Sequence, residues 1–152
     1  MKMTDKYTSS SYIKQSGLIS KVSLVDKKGG KSKYVAINPQ LLNLVVYSVD
    51  GGIINSVDTH KCDFAIYTSA DALYLVELKG SDYEKALKQI RGTIEYLLKT
   101  IEQPNKVFSR VVLSKARTVN LNTTEETKLM KQIKKLGGNH KKKTVLLEEN
   151  LV

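Results

Sequence analysis

The chain carries a single cysteine, Cys62, in 152 residues. An internal disulfide and a multi-thiolate metal site are therefore excluded, and any metal would have to rest on oxygen ligands. No apolar run reaches the roughly 18 residues of a membrane helix. The opening segment MKMTDKYTSSSYIKQSG has no apolar stretch behind its lysine, so neither a span nor a signal peptide is expected, and the reading is a cytoplasmic protein with no membrane partner. A glycine-rich phosphate loop is missing too, since Gly29-Gly30 ahead of Lys31-Ser32 lacks the first glycine at Walker spacing. Acidic residues are scarce in the first half. The first glutamate in the chain is Glu77, so each carboxylate near it is worth a question. No internal repeat is visible.

What the chain does have is positive charge: 25 Lys and Arg against 15 Asp and Glu, a net of +10. With 41% hydrophobic and 26% charged residues the composition is that of a globular domain, and this length buries one core. Residues 1–16, rich in Ser, Thr and Lys, read as a flexible arm or a weak helix, and 17–152 as a single domain. Seven lysines and no acidic residue lie between Lys128 and Lys143, ending in Lys141-Lys142-Lys143. A second basic stretch holds Lys21, Lys27, Lys28, Lys31 and Lys33 with only Asp26 against them. Any one of these lysines reads equally as a solvated surface charge. Together they favour a polyanion, because each lysine near a phosphate displaces condensed counterions.

The hydrophobic pattern gives the element order. Leu18 to Val25 and Lys33 to Ile37 flank Asp26-Lys27-Lys28-Gly29-Gly30 as an N-terminal β-hairpin. Asn38-Pro39 resembles a helix start, with Leu41, Leu42, Val45 and Val46 on one face. After the turn Asp50-Gly51-Gly52, residues 53–57, 62–68 and 73–79 read as three strands. Tyr83, Ala86, Leu87, Ile90, Ile94, Leu97, Leu98 and Ile101 then recur at steps of three and four residues as one helical stripe that Pro104 closes. Val107 to Leu113 is a buried strand. Thr123 with Glu126 forms a capping-box pattern opening a helix that Gly137-Gly138 ends. Thr144 to Leu147 supplies a last strand. The fold class is α/β, of α+β kind, with a mixed sheet and helices packed on it.

Chemistry concentrates in Tyr74-Leu75-Val76-Glu77-Leu78-Lys79-Gly80. Side chains two apart on a strand share a face, so Glu77 and Lys79 are neighbours. The preceding apolar segment Lys61-Cys62-Asp63-Phe64-Ala65-Ile66-Tyr67 carries Asp63. In an antiparallel hairpin a three-residue loop centred on Ala70 sets Asp63 opposite Glu77, and a five-residue loop centred on Asp71 sets it opposite Lys79. An even loop would throw Asp63 to the other face. Facing residues have β-carbons about 4.5 to 5.5 Å apart, and two carboxylates held so repel unless a cation lies between them. Mg²⁺ suits such a pair, since it takes one or two carboxylates and completes its shell with water and phosphate oxygens.

Asp63, a hairpin, then Glu77-Leu78-Lys79 resembles the signature of the PD-(D/E)XK nuclease family, which includes restriction endonuclease-like, junction resolvase-like and RecB-like enzymes. The expected α, β, β, β, α, β order over residues 39–113 is similar to that family's core, here preceded by a β-hairpin and followed by an αβ extension. The resemblance implies that Asp63 and Glu77 hold Mg²⁺ or Mn²⁺ with help from the Leu78 carbonyl, and that Lys79 positions or deprotonates the attacking water. It further implies that Gln89, on the following helix, borders the site. Two departures stand: Cys62 replaces the proline of the signature, and no glutamate lies upstream as the extra helix-borne ligand of some members. Gln89, Thr93, Tyr96 and Lys85 share one helix flank.

The expected function is accordingly a Mg²⁺-dependent phosphodiesterase acting on nucleic acid, DNA ahead of RNA, with Lys27, Lys28, Lys31, Lys33, Lys85, Lys141, Lys142 and Lys143 as phosphate contacts. A homodimer is compatible with it. The alternative is a nuclease-fold module that binds nucleic acid without cutting it, or a subunit of a larger complex, because a fold alone does not fix activity. His60 reads as a solvated loop residue, His140 as a phosphate contact or nothing, Asp58 as a turn residue and Cys62 as a small core residue.

Overall fold

The computed structural model describes residues 1–115 and 124–152. Its elements, in chain order, are α1 (Met3–Lys6), β1 (Ile13–Leu18), β2 (Lys21–Val25), β3 (Lys33–Ile37), β4 (Asn43–Ser48), β5 (Phe64–Thr68) and β6 (Ala72–Lys79), then α2 (Tyr83–Leu98), β7 (Lys106–Leu113), α3 (Thr124–Lys135), β8 (His140–Thr144) and β9 (Leu146–Asn150). Six strands form a mixed sheet in the order β1-β4-β5-β6-β7-β8, and β2-β3-β9 form a second sheet. The first four strands of the large sheet pair antiparallel. The β6/β7 and β7/β8 pairs are parallel, with α2 and α3 as the intervening crossovers, because a parallel return needs a connection long enough to cross the sheet.

Strand alternation divides the core in two. Leu73 and Leu75 of β6, Ala65 and Tyr67 of β5 and Val107 and Val111 of β7 point to the helices, where they meet Leu87, Ile90, Ile94, Leu129 and Ile133. Tyr74, Val76, Phe64, Ile66 and Val112 point the other way and pack against Val22, Leu24, Tyr34 and Leu147 of the small sheet. Central strands covered on both faces are buried along their whole length, which is why β6 reads as an unbroken apolar run interrupted only by Glu77 and Lys79. The hairpin β2/β3 and the helix α2 fall where the sequence placed them. Asp82 caps α2, its side chain accepting the Lys85 N–H at 3.1 Å.

Four expectations change. Residues 1–16 do not hang free: α1 and β1 are ordered, Met3 and Tyr7 are buried in the helix-side core, and β1 pairs with β4. Of the two alternatives left open for that segment, the short helix is the one present, and the strand β1 was not anticipated. No helix follows Pro39. The Asn38 amide donates to the carbonyls of Ile19 and Leu42 and accepts the Leu42 N–H, so it closes a turn, and the β-branched run beyond it becomes β4. Leu44 and Val46 there face the small sheet while Tyr47 faces the helices.

Residues 53–57 are not a strand either. Ile53 and Ile54 plug the helix-side core from a loop whose N–H groups return to Ser48 and Val49. The described order around the hairpin is therefore β4, β5, β6, α2, β7, without the long leading helix. Finally, the single strand expected at 144–147 is two strands, β8 and β9, broken at Val145, whose φ is 70°. There the chain leaves the large sheet for the small one: Val145 N–H bonds Leu113 O, and Val145 O accepts from Lys33 N–H. The capping residue expected at Thr123 lies outside the described residues.

The two sheets are joined by one charged network. Arg110 is 2% exposed, and its Nε meets Glu149 Oε2 at 2.6 Å. Its other nitrogen donates to the carbonyls of Ser109 and Asn139, and its plane lies near the Tyr74 and Phe108 rings. Glu149 also accepts from Tyr34 OH at 2.7 Å and Lys141 at 3.2 Å. Arg110→Leu, which leaves the Glu149 charge short of its main partner, is expected to lower the free energy of unfolding in urea by about 3 kcal/mol, and adding Glu149→Leu to recover much of that.

Candidate functional site

Asp63 and Glu77 meet at the open end of the β5/β6 hairpin. The register pairs Phe64 with Val76 and Thr68 with Ala72, which closes a three-residue loop of Ser69, Ala70 and Asp71 and places Asp63 opposite Glu77. Asp71 occupies the left-handed region at φ 58°, as the last residue of such a loop requires, and aspartate tolerates it. Its side chain accepts from the Tyr67 hydroxyl and the Asn105 N–H. The odd loop thus keeps Asp63, Glu77 and Lys79 on the helix-facing side.

The two carboxyls are locked into each other's backbone. Asp63 N–H donates to Glu77 Oε1 at 3.0 Å, and Leu78 N–H donates to Asp63 Oδ2 at 2.8 Å. A strand residue's N–H and C=O leave on the same side, so the Leu78 carbonyl also points toward the Asp63 edge. Glu77 is 2% exposed. Burial first, then the neighbouring Asp63 charge, pushes its carboxyl up to about 10, with Lys79 pulling the other way. Burial also raises Asp63, opposed by the Leu78 N–H, by a hydrogen bond from Glu77 and by the charge of Lys27. Burial and the Asp63 charge both favour the neutral form of Glu77.

Both loops that border the pair come from elsewhere in the chain. A cleft of about 130 Å³ is lined by Asp63, Glu77, Leu78, Lys79, Gly80 and Gln89, and also by Asp26, Lys27, Lys28 and Asp50. Gln89 is brought in by α2, and its Oε1 is buried with no hydrogen-bond partner. The tip of the β2/β3 hairpin bends over the end of β6, where Ser32 Oγ donates to Lys79 O at 3.0 Å. Ser114 N–H donates to the same carbonyl at 2.8 Å, so the Lys79 backbone is held from two sides. Lys27 Nζ donates to Asp50 O at 3.0 Å and lies 5.0 Å from the centre of the Phe64 ring. Sequence reading missed Asp26 and Asp50 as site residues. Each sits beside glycines at a turn, and nothing in a turn motif says that the turn will fold over another strand's end.

The remaining lysines divide. Lys31, Lys33 and Lys85 are exposed and do not line the cleft. The run Lys141 to Lys143 is not an extended tail but lies in β8: register runs Glu77 to Val111 to Lys142, and Leu78 to Val112 to Lys143. These lysines stand level with the carboxylates two strands away, about 10 Å at ordinary strand spacing. Two of them are already engaged, Lys141 with Glu149 at 3.2 Å and Lys142 with Glu126 at 2.9 Å. His140 is no surface contact. Its ring is hydrogen-bonded to Tyr83 OH at 2.8 Å and Ser109 Oγ at 2.6 Å, and burial lowers it to about 4. His60 is exposed on a loop against α2, Asp58 is an exposed turn residue and Cys62 is wholly buried. Tyr96 borders a different groove, with Thr59, His60 and Lys99.

The donor set fits a hard divalent cation. The Asp63 and Glu77 carboxyls and Gln89, whose buried amide oxygen has no partner, line one cleft. Among the described residues no three His, Cys, Asp or Glu side chains gather as a closed cage, whereas Mg²⁺ needs only one or two carboxylates and open positions for water. Compared with family models, with curated proteins and with solved structures, the chain matches none.

The raised Glu77 carboxyl has a measurable consequence. Glu77 holds its proton in the fold up to about 10, while its ordinary value is 4.5, so over that window the folded chain binds more protons than the unfolded one and stability falls as pH rises. His140 acts oppositely and only below 6.5. In EDTA, chemical denaturation from pH 6.5 to 9 is therefore expected to show a steadily falling free energy of unfolding. Mn²⁺ or Mg²⁺ should flatten that slope by replacing the proton.

Proposed function

We propose that this protein is a Mg²⁺-dependent nuclease of PD-(D/E)XK type that hydrolyses phosphodiester bonds, with DNA as its substrate ahead of RNA. The observation that carries this reading is the buried Asp63–Glu77 pair, joined through Leu78 N–H and Asp63 N–H, with Lys79 on the same face and Gln89 entering the same cleft. A buried carboxyl held against a second one is costly to a fold unless it stays neutral or meets a cation. Its presence beside an ammonium and a free amide oxygen is what a cation-dependent hydrolytic site requires and what an ordinary surface ion pair does not. The β4, β5, β6, α2, β7 succession, an antiparallel meander followed by a parallel crossover strand, supports the same reading.

In this reading Asp63 and Glu77 hold the cation, with the Leu78 carbonyl on the same edge. When bound, the metal supplies Lewis-acid polarisation of the phosphate and acidifies a water. Lys79 then places its ammonium beside the attacked phosphate and takes part in proton transfer, a role suited to a lysine whose backbone is pinned by Ser32 and Ser114. The Gln89 amide oxygen accepts a hydrogen from the attacking water and orients it. Lys27 and Lys28, on the hairpin tip within the cleft, contact phosphates of the strand being cut. Gathered at the end of a strand, such groups act through position and charge and need no further cofactor.

The test is incubation with supercoiled DNA, single-stranded DNA and structured RNA in Mg²⁺, Mn²⁺ and EDTA. Cleavage that depends on the metal is expected. Glu77→Gln should abolish it and weaken Mn²⁺ binding by at least about tenfold, while its unfolding free energy in EDTA at pH 8 equals or exceeds that of the parent, because the amide is neutral. A Glu77→Gln protein that cuts at the parental rate would move the site elsewhere.

The hairpin lysines make a separate prediction about the partner. Lys27→Gln with Lys28→Gln is expected to weaken binding to all duplex sequences alike and to lower the salt slope of affinity by up to about 0.9 per lost phosphate contact. An unchanged slope, measured by fluorescence anisotropy over a salt series, assigns these lysines to the solvated surface.

A further inference from the structure

Asp63 lies one residue before β5, in a segment that belongs to no strand, so contacts from other elements must hold it. Helix α2 does so with two adjacent residues. At Gly92 the loop lies directly on the helix: a Cβ there would sit 2.3 Å from the His60 carbonyl oxygen and 2.7 Å from the His60 Cβ. One residue on, the Thr93 hydroxyl is wholly buried and accepts the Cys62 N–H at 2.8 Å while donating its own proton to the Gln89 carbonyl at 2.9 Å.

A hydroxyl has one proton to give. Committing it to Gln89 O fixes the rotor and aims a lone pair at Cys62. A threonine that donates to the carbonyl four residues back is common in helices and by itself slightly unfavourable. What is not common is the second bond, from a loop amide to that same oxygen. It ties the helical turn that carries Gln89 to the peptide immediately before Asp63. On the other side of that peptide, Cys62 O and Asp63 O accept from Asp50 N–H and Val49 N–H at 3.1 and 2.9 Å. The Asp63 N–H is then left pointing at Glu77 Oε1.

We propose that Thr93, with the Gly92 notch beside it, is the positioning residue of the carboxylate pair, setting Asp63 against Glu77 and both against Gln89. The proposal rests on the nuclease reading for what the pair does, and on the geometry alone for how the pair is held. Thr93 touches neither substrate nor cation; it acts through the peptide of Cys62.

Thr93→Val keeps the shape and removes the hydroxyl, Thr93→Ser keeps the hydroxyl, and Gly92→Ala pushes the His60 backbone away while removing no hydrogen-bonding group. Two readouts apply, Mn²⁺ affinity by calorimetry and the amide resonances of Asp63 and Leu78 in EDTA, which report the two bonds to the carboxyls. Thr93→Val is expected to lose about tenfold or more in Mn²⁺ affinity and to shift both amides, with Thr93→Ser within about twofold of the parent. Gly92→Ala should shift the same two amides. A folded Thr93→Val with parental affinity and parental amides overturns the proposal. So does a Thr93→Ser variant that loses as much affinity or shifts the amides as far as Thr93→Val, because the methyl and not the hydroxyl would then be the requirement. Should Thr93→Val not fold, Gly92→Ala and Thr93→Ser decide: unmoved amides in the first, or moved amides in the second, overturn it. A parent protein that neither binds Mn²⁺ nor cuts nucleic acid overturns the nuclease reading instead, and the amide shifts still judge the positioning.

Discussion

The register of one hairpin governs the rest. With Ser69, Ala70 and Asp71 in the loop, β5 and β6 pair so that Asp63 faces Glu77. A slip of one residue would carry Asp63 into the opposite core beside Val76 or Leu78 and turn Phe64 and Ile66 out of it. Such a slip is resisted at both ends. Asp71 accepts from Tyr67 OH and Asn105 N–H at the closed end, and the carboxyls of Asp63 and Glu77 accept each other's neighbouring amides at the open end. Apolar side chains on both faces do the same along the length, since every β5 residue is buried. The polar site is thus held by an apolar hairpin, and the hairpin tolerates the site only because its backbone amides satisfy the carboxyl oxygens.

Electrostatics explains why the site sits where it does. Glu77 lies near the carboxyl end of β6, one residue past its last pairing with β5, where the hairpin tip, α2 and the loop after β4 can each contribute a wall. One turn further into the sheet the same carboxyl would have no lysine, no amide and no opening to water. Where it lies, burial and the Asp63 charge favour its neutral form. A divalent cation bound there, as proposed, would compete with that proton for the same oxygens, so pH and metal would act on one equilibrium. The Arg110–Glu149 pair on the other face of the sheet is a different solution to the same cost: a guanidinium, a tyrosine hydroxyl and a lysine share one carboxylate that nothing exposes.

The excess of lysine is not a uniform coat. Part of it is consumed internally, Lys141 by Glu149 and Lys142 by Glu126, so the run that looks most basic in sequence presents less charge than its count suggests. Part of it is carried to the cleft by the β2/β3 hairpin, where Lys27 already offsets the charge of Asp63. A polyanion drawn to this face would meet Lys27 and Lys28 first and the carboxyl pair behind them.

Periodicity alone determined the β2/β3 hairpin, the apolar stripe of α2, the buried strand β7 and the shared face of Glu77 and Lys79, because these depend on neighbours a few residues away. It left open whether Asp63 shares that face, since an odd loop puts it there and an even one does not, and the structure decided the loop length. It failed at residues 39–57, where Asn38-Pro39 imitates a helix start and Ile53 to Val57 imitates a strand. There the outcome was decided by partners distant in sequence: β1 and β5 claimed Asn43 to Ser48 as a strand between them, and the helix-side core claimed Ile53 and Ile54. The same holds at the C-terminus, where Val145 turns one expected strand into two because Leu113 and Lys33 bind its two backbone groups from different sheets. Asp26, Asp50 and Gly92 carried no local mark of their place beside Asp63 and Glu77, and Thr93 showed only that it shares the Gln89 flank of its helix. Local pattern fixes which face a residue takes on its own element; which elements close over that face is set by long-range pairing and burial, and these have no period to read.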